Sequence, residues 1–410
     1  MLRINRYKEI RKLRERNNMK VSENDGKLLI FLEGRIDSNN APSVEKDISG
    51  ILDFHKGKDV AFDAGELTYI SSAGLRVLMK VRKSFGKSLA LLNVSRDVYD
   101  ILETTGFTEL FDVRRTYRQI SVEGLPVIGR GFFGTVYRMD QETIVKVYKG
   151  KEAISMIENE KRMAQKAFVA GIPTAISYDI VKVGEDYGSV FELLDAKSFH
   201  DIVKDGDEPI EKVIRKYVGM LRLVHNTRME KGDFPSYKDR FLNYLDVIRE
   251  HLLDSQFEKL KNLLLNMPDE NTVVHGDIQM KNVMLSGDEA MLIDMDTLGL
   301  GNPVFEFAGL FVTYREFAED EPDNSRMFLQ IPQEKADEIW QMTFDHYFDS
   351  VSDTDREKIL EQIRLVAAIR FLYLLESTDL KNNTFGAKRI EHTREHIDEL
   401  LNKVERLEVL

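Results

Sequence analysis

The sequence predicts two folded units of different class: an α/β unit over residues 19–115 and an α+β unit over 127–410, joined by a polar linker at 116–126. Three observations point there. Short apolar strands alternate with amphipathic helices from 21 to 112, the pattern of a sheet with helices packed against it. A charge-rich connector, "DVRRTYRQISVEGLP", then ends in Pro126. Beyond it, residues 127–195 are strand-rich with one helix and residues 196–410 mostly helical, which implies a small β-rich lobe followed by a larger α-rich one. At 410 residues the chain also exceeds one average domain, so more than one core is expected.

Taken in order, "KLLIFLEGRI" reads as a strand, "APSVEKDISGILDFH" as a helix with Pro42 near its first turn, and "DVAFDA" as a buried strand. "SSAGLRVLMKVRKSFGK" is a helix, "SLALLNV" a strand and "SRDVYDILETTGF" a helix. In the second unit, "SMIENEKRMAQKAFVAGI" is the helix of the β-rich lobe, and short strands at 272–296 interrupt the helical lobe.

Composition narrows the function classes. With 42% apolar and 31% charged residues the chain is ordinary for a soluble protein, and no apolar run reaches the roughly 18 residues of a membrane span. The absence of cysteine excludes disulfides and thiol chemistry, and cytoplasm is the expected compartment. The basic arm at 1–18 has no apolar core of a signal peptide and reads as a solvated segment. A net charge of −12 argues against a general nucleic-acid binder, which needs a positive field.

The chemistry lies in the second unit. In "VIGRGFFGTVYRM", Gly129, Gly131 and Gly134 form G-x-G-x-x-G, and glycine lets a backbone lay its N–H groups over phosphates. A dinucleotide fingerprint of the same spelling would run straight into a helix. Here "TVYRM", a turn and the strand "TIVKVYK" follow instead, so the expectation is a β-hairpin over a nucleotide. Lys146, between Val145 and Val147, is placed to reach the α- and β-phosphates, with Glu160 or Glu158 on the next helix to hold it. In "VVHGDIQMKNVMLSGDEAMLIDMD", Asp277 and Asn282 stand in D-x-x-x-x-N spacing, and a later apolar strand ends in Asp294. Phosphoryl transfer needs one carboxylate to orient the attacking hydroxyl and take its proton, plus an amide and a carboxylate to hold Mg²⁺. Asp277 is therefore the candidate base, and Asn282 and Asp294 the candidate metal ligands. His275 reads as a brace for this loop, and Asp296 as an additional metal group or an ordinary loop carboxylate.

At "HGDIQMKN", "LIDMD" and "GNPVFEFAGL" the chain resembles the kinase-like phosphotransferases of the aminoglycoside phosphotransferase and choline kinase superfamily, over roughly residues 120–400. The resemblance implies a bilobal protein-kinase-like fold using ATP and Mg²⁺. It also implies that "SVFELLDAKSF" contacts adenine, with Phe191 at the back of the pocket and Glu192 to Leu194 offering backbone groups. Gly276 stands where the protein kinases carry arginine and Gln279 where many carry lysine, which leans toward small-molecule acceptors. Glu306 replaces the superfamily's usual aspartate and reads as structural.

"LEGRIDSNNAPSVEKDI" and "VAFDAGELTYISSAGLRVLMKV" resemble the STAS domain of bacterial anti-sigma factor antagonists, over about 19–115. In that family the helix after the third strand begins with a serine that a partner kinase phosphorylates, and the unphosphorylated form binds the partner. Aligned on "GL", that serine is Ser72, with Ser71 replacing the usual aspartate. A phosphate would be tolerated at this helix N-terminus, and a charge of about −1.5 to −2 on a docking surface would repel a partner. Ser72 could equally be a helix cap worth roughly 1 kcal/mol.

The whole-chain expectation is a bacterial ATP-dependent phosphotransferase coupled to a STAS regulatory unit, phosphorylating a protein serine such as Ser72. The alternatives are a small-molecule hydroxyl phosphotransferase with STAS as docking or sensing module, and a non-catalytic nucleotide-binding scaffold. The expected partners are ATP, a hydroxyl acceptor and an anti-sigma factor-like regulatory protein, with neither nucleic acid nor membrane.

Overall fold

The computed structural model describes residues 19–24, 27–55, 57–85, 89–130, 134–150, 153–321 and 323–407. The basic arm and Gly131 lie outside the described residues. The chain divides into two compact units, Met1–Ser121 and Val122–Leu410, and each has its own large cluster of buried apolar residues.

The first unit is a five-stranded sheet in the order β1 (Val21–Asn24), β2 (Lys27–Ile36), β3 (Asp59–Ile70), β4 (Ala90–Val94), β5 (Asp112–Arg115). Only β1 is antiparallel to its neighbour, as two strands separated by just two residues must be. The other pairs are parallel, as crossover helices require. The crossovers are α1 (Ala41–Phe54), α2 (Ser72–Phe85) and α3 (Arg96–Thr104). Alternate residues of β2 and β3, among them Ile30 and Phe62, point into a core closed by Leu75 and Leu78 of α2. Two sequence expectations change here. Strand β3 runs past "DVAFDA" to Ile70, and Asp112–Arg115, read as part of the polar connector, is a strand beside β4. An edge strand needs little apolar character, which is why its pattern looked like a connector.

In the second unit the β-rich lobe contains β6 (Val127–Arg130), β7 (Gly134–Arg138), β8 (Thr143–Tyr148), β9 (Asp179–Val183) and β10 (Asp186–Glu192). They lie in the order β9-β10-β8-β7-β6, antiparallel throughout, with α4 (Ala153–Val169) following β8. Gly134 is required by packing rather than by φ: a Cβ there would lie 2.6 Å from the Val147 carbonyl oxygen. The helical lobe is built on Ile210–Asn226, Tyr237–Val247, Val304–Phe311, Gln333–Tyr347 and Asp353–Ser377, around an aromatic core that includes Tyr217, Phe305 and Phe307. Short strands at Val273–Val274, Val283–Ser286 and Glu289–Leu292 present the 272–296 segment as loops between them. Among the described residues no helix is long and apolar enough to cross a membrane.

Candidate active site

Lys146 projects from the middle of β8, where its neighbours Val145 and Val147 are buried in the sheet. Its Nζ forms an ion pair with Asp294 and lies 3.6 Å from Glu160 Oε1. The structure thus selects Glu160 over Glu158, because Glu160 is on the buried face of α4. Burial opposes the charge on Lys146, but Glu160 and Asp294 outweigh it and raise the lysine above its ordinary pKa. Burial also raises Glu160, against Lys146 and the Tyr148 hydroxyl that donates to its Oε2 at 2.5 Å. Tyr148 was not anticipated, although a strand's period of two puts it on the same face as Lys146.

Asp294 ends the strand Glu289–Leu292 and its following loop with φ +60 and ψ +61. A non-glycine residue in the left-handed region costs about 1 kcal/mol or more and persists where its surroundings dictate it. Here that turn aims the carboxylate at Lys146. Asp296, two residues on, is half-buried and its pKa is raised by burial.

Asp277 and Asn282 meet as their spacing suggests. The one turn Met280–Asn282 folds back, so that Asn282 Nδ2 donates to the Asp277 backbone oxygen at 2.7 Å and to its Oδ2 at 3.0 Å. Gln279 Nε2 donates to both carboxylate oxygens, at 3.1 and 3.3 Å. Part of Asp277 stays open, yet the burial of its carboxyl raises its pKa against Arg370, His275 and Gln279. The residues expected to contact nucleotide lie on the strands of the β-rich lobe and the segment after them. Gly129 pairs with Val136 in the β6–β7 hairpin. Phe191 and Glu192 end β10, and Leu194 lies on the segment leading out of it.

Residues 125–330, just over half of the chain, match the family model described as the phosphotransferase enzyme family. The chain belongs to that family. Residues 18–120 match the STAS domain model. This part is 38% identical over 93 residues to a Bordetella bronchiseptica protein described as an anti-sigma factor antagonist, BtrV, covering 22% of this chain and 78% of that one. Among solved structures, the ADP-bound aminoglycoside phosphotransferase APH(2'')-Ib aligns at 13% identity and TM-score 0.47, over 68% of this chain and 95% of the other. An anti-sigma factor antagonist of Thermotoga maritima aligns at 19% identity and TM-score 0.22, over 24% of this chain and 87% of its own.

The loop of this phosphotransferase that carries Asp277 is held from below by Glu306. Its carboxylate is 1% exposed and accepts the backbone N–H groups of His275 (2.7 Å), Gly276 (2.9 and 3.0 Å) and Ile278 (3.3 Å). Burial alone would raise Glu306, but His225, His275 and the Gly276 N–H hold its pKa below the ordinary range. From above, His275 accepts the Asp277 N–H on Nδ1, which leaves Nε2 to donate to Ile293 O at 3.2 Å. That ring therefore ties the loop to the segment ending in Asp294.

Gly276 also has a physical reason. Its φ is +82, and a Cβ there would lie 1.4 Å from the Tyr237 hydroxyl. Tyr237 donates to Thr297 O at 2.8 Å and fills the place that an arginine side chain at 276 would need.

In the STAS unit the two serines divide the work. Ser71 Oγ accepts from the N–H of Ala73 at 3.2 Å and of Gly74 at 3.5 Å, while Ser71 N–H donates to Ile36 O at 2.8 Å. Ser71 is the cap, which corrects the expectation that Ser72 could fill that role. Ser72 is the first helical residue and is exposed. Gly74 lets the helix start this close to the sheet, since a Cβ there would sit 2.7 Å from Ile36 and Ile70.

Proposed function

We propose that this phosphotransferase transfers the terminal phosphoryl group of ATP to a hydroxyl, with Asp277 as the base and the STAS unit coupling the reaction to a regulatory protein. The observation that carries this is the Asp277 carboxylate held by Gln279 and Asn282 on one loop, which His275 ties to the segment whose Asp294 pairs with Lys146. The acceptor O–P bond forms as the bond from the γ-phosphorus to its bridging oxygen breaks. The hydroxyl proton passes to Asp277, whose raised pKa suits a proton acceptor, and ADP leaves. Lys146, aimed by Glu160, holds the α- and β-phosphates, and the backbone of Gly129 and Gly134 lies over them. Phe191, Glu192 and Leu194 contact adenine.

The donors present suit Mg²⁺. Asn282 uses Nδ2 on Asp277 and keeps Oδ1 for a cation, and Asp294 adds a carboxylate, so the set is of hard oxygens. Mg²⁺ held there would neutralise the triphosphate charge that develops in transfer.

Two acceptors are compatible with this reading. A free small-molecule hydroxyl is favoured by Gly276, because Tyr237 occupies the space of the arginine that serves phospho-control in protein kinases. Ser72, of the same or a sister chain, is favoured by its exposure beside a cap that Ser71 already supplies. Incubation of the full chain with Mg-ATP, read by intact mass and phosphopeptide analysis, tests the second. Asp277→Asn should lower transfer about 10²- to 10⁴-fold while nucleotide binding persists. Equal turnover in the variant would remove Asp277 from the base role, and no turnover in the wild-type chain with any acceptor would leave a nucleotide-binding scaffold.

A further inference from the structure

Close to Asp277 stands a cation whose charge acts on that carboxylate but whose hydrogen-bond donors the chemistry above does not use. The guanidinium carbon and Nη1 of Arg370 lie 3.2 Å from the position of a Cβ on Gly309, and the Gly276 carbonyl oxygen lies 3.4 Å from the same point. The guanidinium therefore rests against a bare helix surface, next to the backbone that carries Asp277. Arg370 is half-buried on the helix Asp353–Ser377, and among the described residues none forms a hydrogen bond or ion pair with it. A guanidinium offers five donors, and none of the Arg370 nitrogens is sealed from solvent, so they are open to a ligand.

Apart from Asp277 itself, a second cation stands close by. Arg240 is committed to the backbone, its Nη1 donating to Thr297 O at 2.8 Å and its guanidinium 4.3 Å over the Tyr237 ring, but its charge remains. Glu306, the nearby buried carboxylate, is already occupied by loop N–H groups. Tyr244, stacked on Tyr373 at 3.8 Å, feels both guanidinium groups. An acceptor bearing an ammonium group would meet like charge here, whereas a negative group would find unused donors.

We infer that the hydroxyl acceptor is a small anion, a hydroxy acid or a hydroxyl-bearing phosphate ester, whose negative group is taken by Arg370 beside Asp277. The inference rests on the reading of Asp277 as the base, and it makes Arg370 a specificity-determining residue. Gripping the anion would fix the neighbouring hydroxyl against the carboxylate, which is the positioning that transfer needs.

The test uses the full chain saturated with Mg-ADP and a matched panel: glycerate, pantothenate and glycerol 3-phosphate as anions, glycerol as neutral, choline and kanamycin as cations. Thermal stability reports binding, because a ligand that binds the folded state raises Tm. At least one anion should raise Tm and, with Mg-ATP, accept phosphate, whether carboxylate or phosphate ester. Arg370→Gln should weaken that response tenfold or more through KM, with ATP affinity nearly unchanged, and Arg370→Lys should restore part of it. A uniform loss of kcat for every acceptor would make Arg370 merely structural and overturn the inference. So would a response confined to glycerol, choline or kanamycin, a response to no anion, or phosphate appearing only on Ser72. Failure of the parent reading looks different: neither Mg-ADP nor Mg-ATP would bind, or ATP would never be consumed.

Discussion

Ser72 and Asp277 are each the group on which a phosphoryl transfer would turn, yet the chain presents them on opposite plans. Ser72 is exposed at the start of a helix, and its neighbour Ser71 does the capping. Asp277 is gripped by Gln279 and Asn282, and its loop is tied to Glu306 and His275. A group that must be reached by another protein needs surface and little support. A group that must hold a hydroxyl in line needs its freedom removed beforehand. The difference predicts that substitutions around Asp277 couple stability to activity, whereas those around Ser72 separate them.

The largest effect should come from Glu306→Gln. The variant keeps the shape but turns one acceptor into a donor facing the N–H groups of His275 and Gly276, and removes a buried charge that accepts from three residues. The expected cost is about 3 kcal/mol on the second unit, with a fall in kcat. Denaturant unfolding, followed by a probe in that unit because the chain has two cores, measures it. A variant as stable and active as wild type would break the comparison.

Glu160→Gln sharpens it at the nucleotide end. Losing the charge that faces Lys146 at 3.6 Å should reduce kcat/KM for ATP roughly tenfold to hundredfold, the worth of one charge-assisted interaction. Glu158→Gln, on the other face of α4, should stay within about twofold. Steady-state kinetics on both variants decides between them.

What the sequence disclosed about these two places follows from range. Lys146 between two valines and the five-residue spacing of Asp277 and Asn282 are local patterns, and each survives folding unchanged. The alternation of strands and helices that gives the first sheet is local too. Tyr237 is different, because its fit against Gly276 joins residues on separate elements, and no periodicity encodes that contact. Glu306 offered a signal of another kind: a carboxylate inside the apolar helix Val304–Phe311 has to be paired when buried, though its partner cannot be named in advance. Asp112–Arg115 escaped because an edge strand carries charge where a central one cannot.

The smallest effect is the one that separates the two serines. Ser71→Ala removes the acceptor of the Ala73 and Gly74 N–H groups and should cost about 1 kcal/mol, lowering the melting of the first unit by roughly 4–8 °C. Ser72→Ala removes an exposed hydroxyl from the first helical turn and should stay within about 0.5 kcal/mol of wild type. Melting curves read on the first unit compare them directly. If Ser72→Ala costs as much as Ser71→Ala, then Ser72 is structural after all, and the hydroxyl offered for modification would already be spent on the fold.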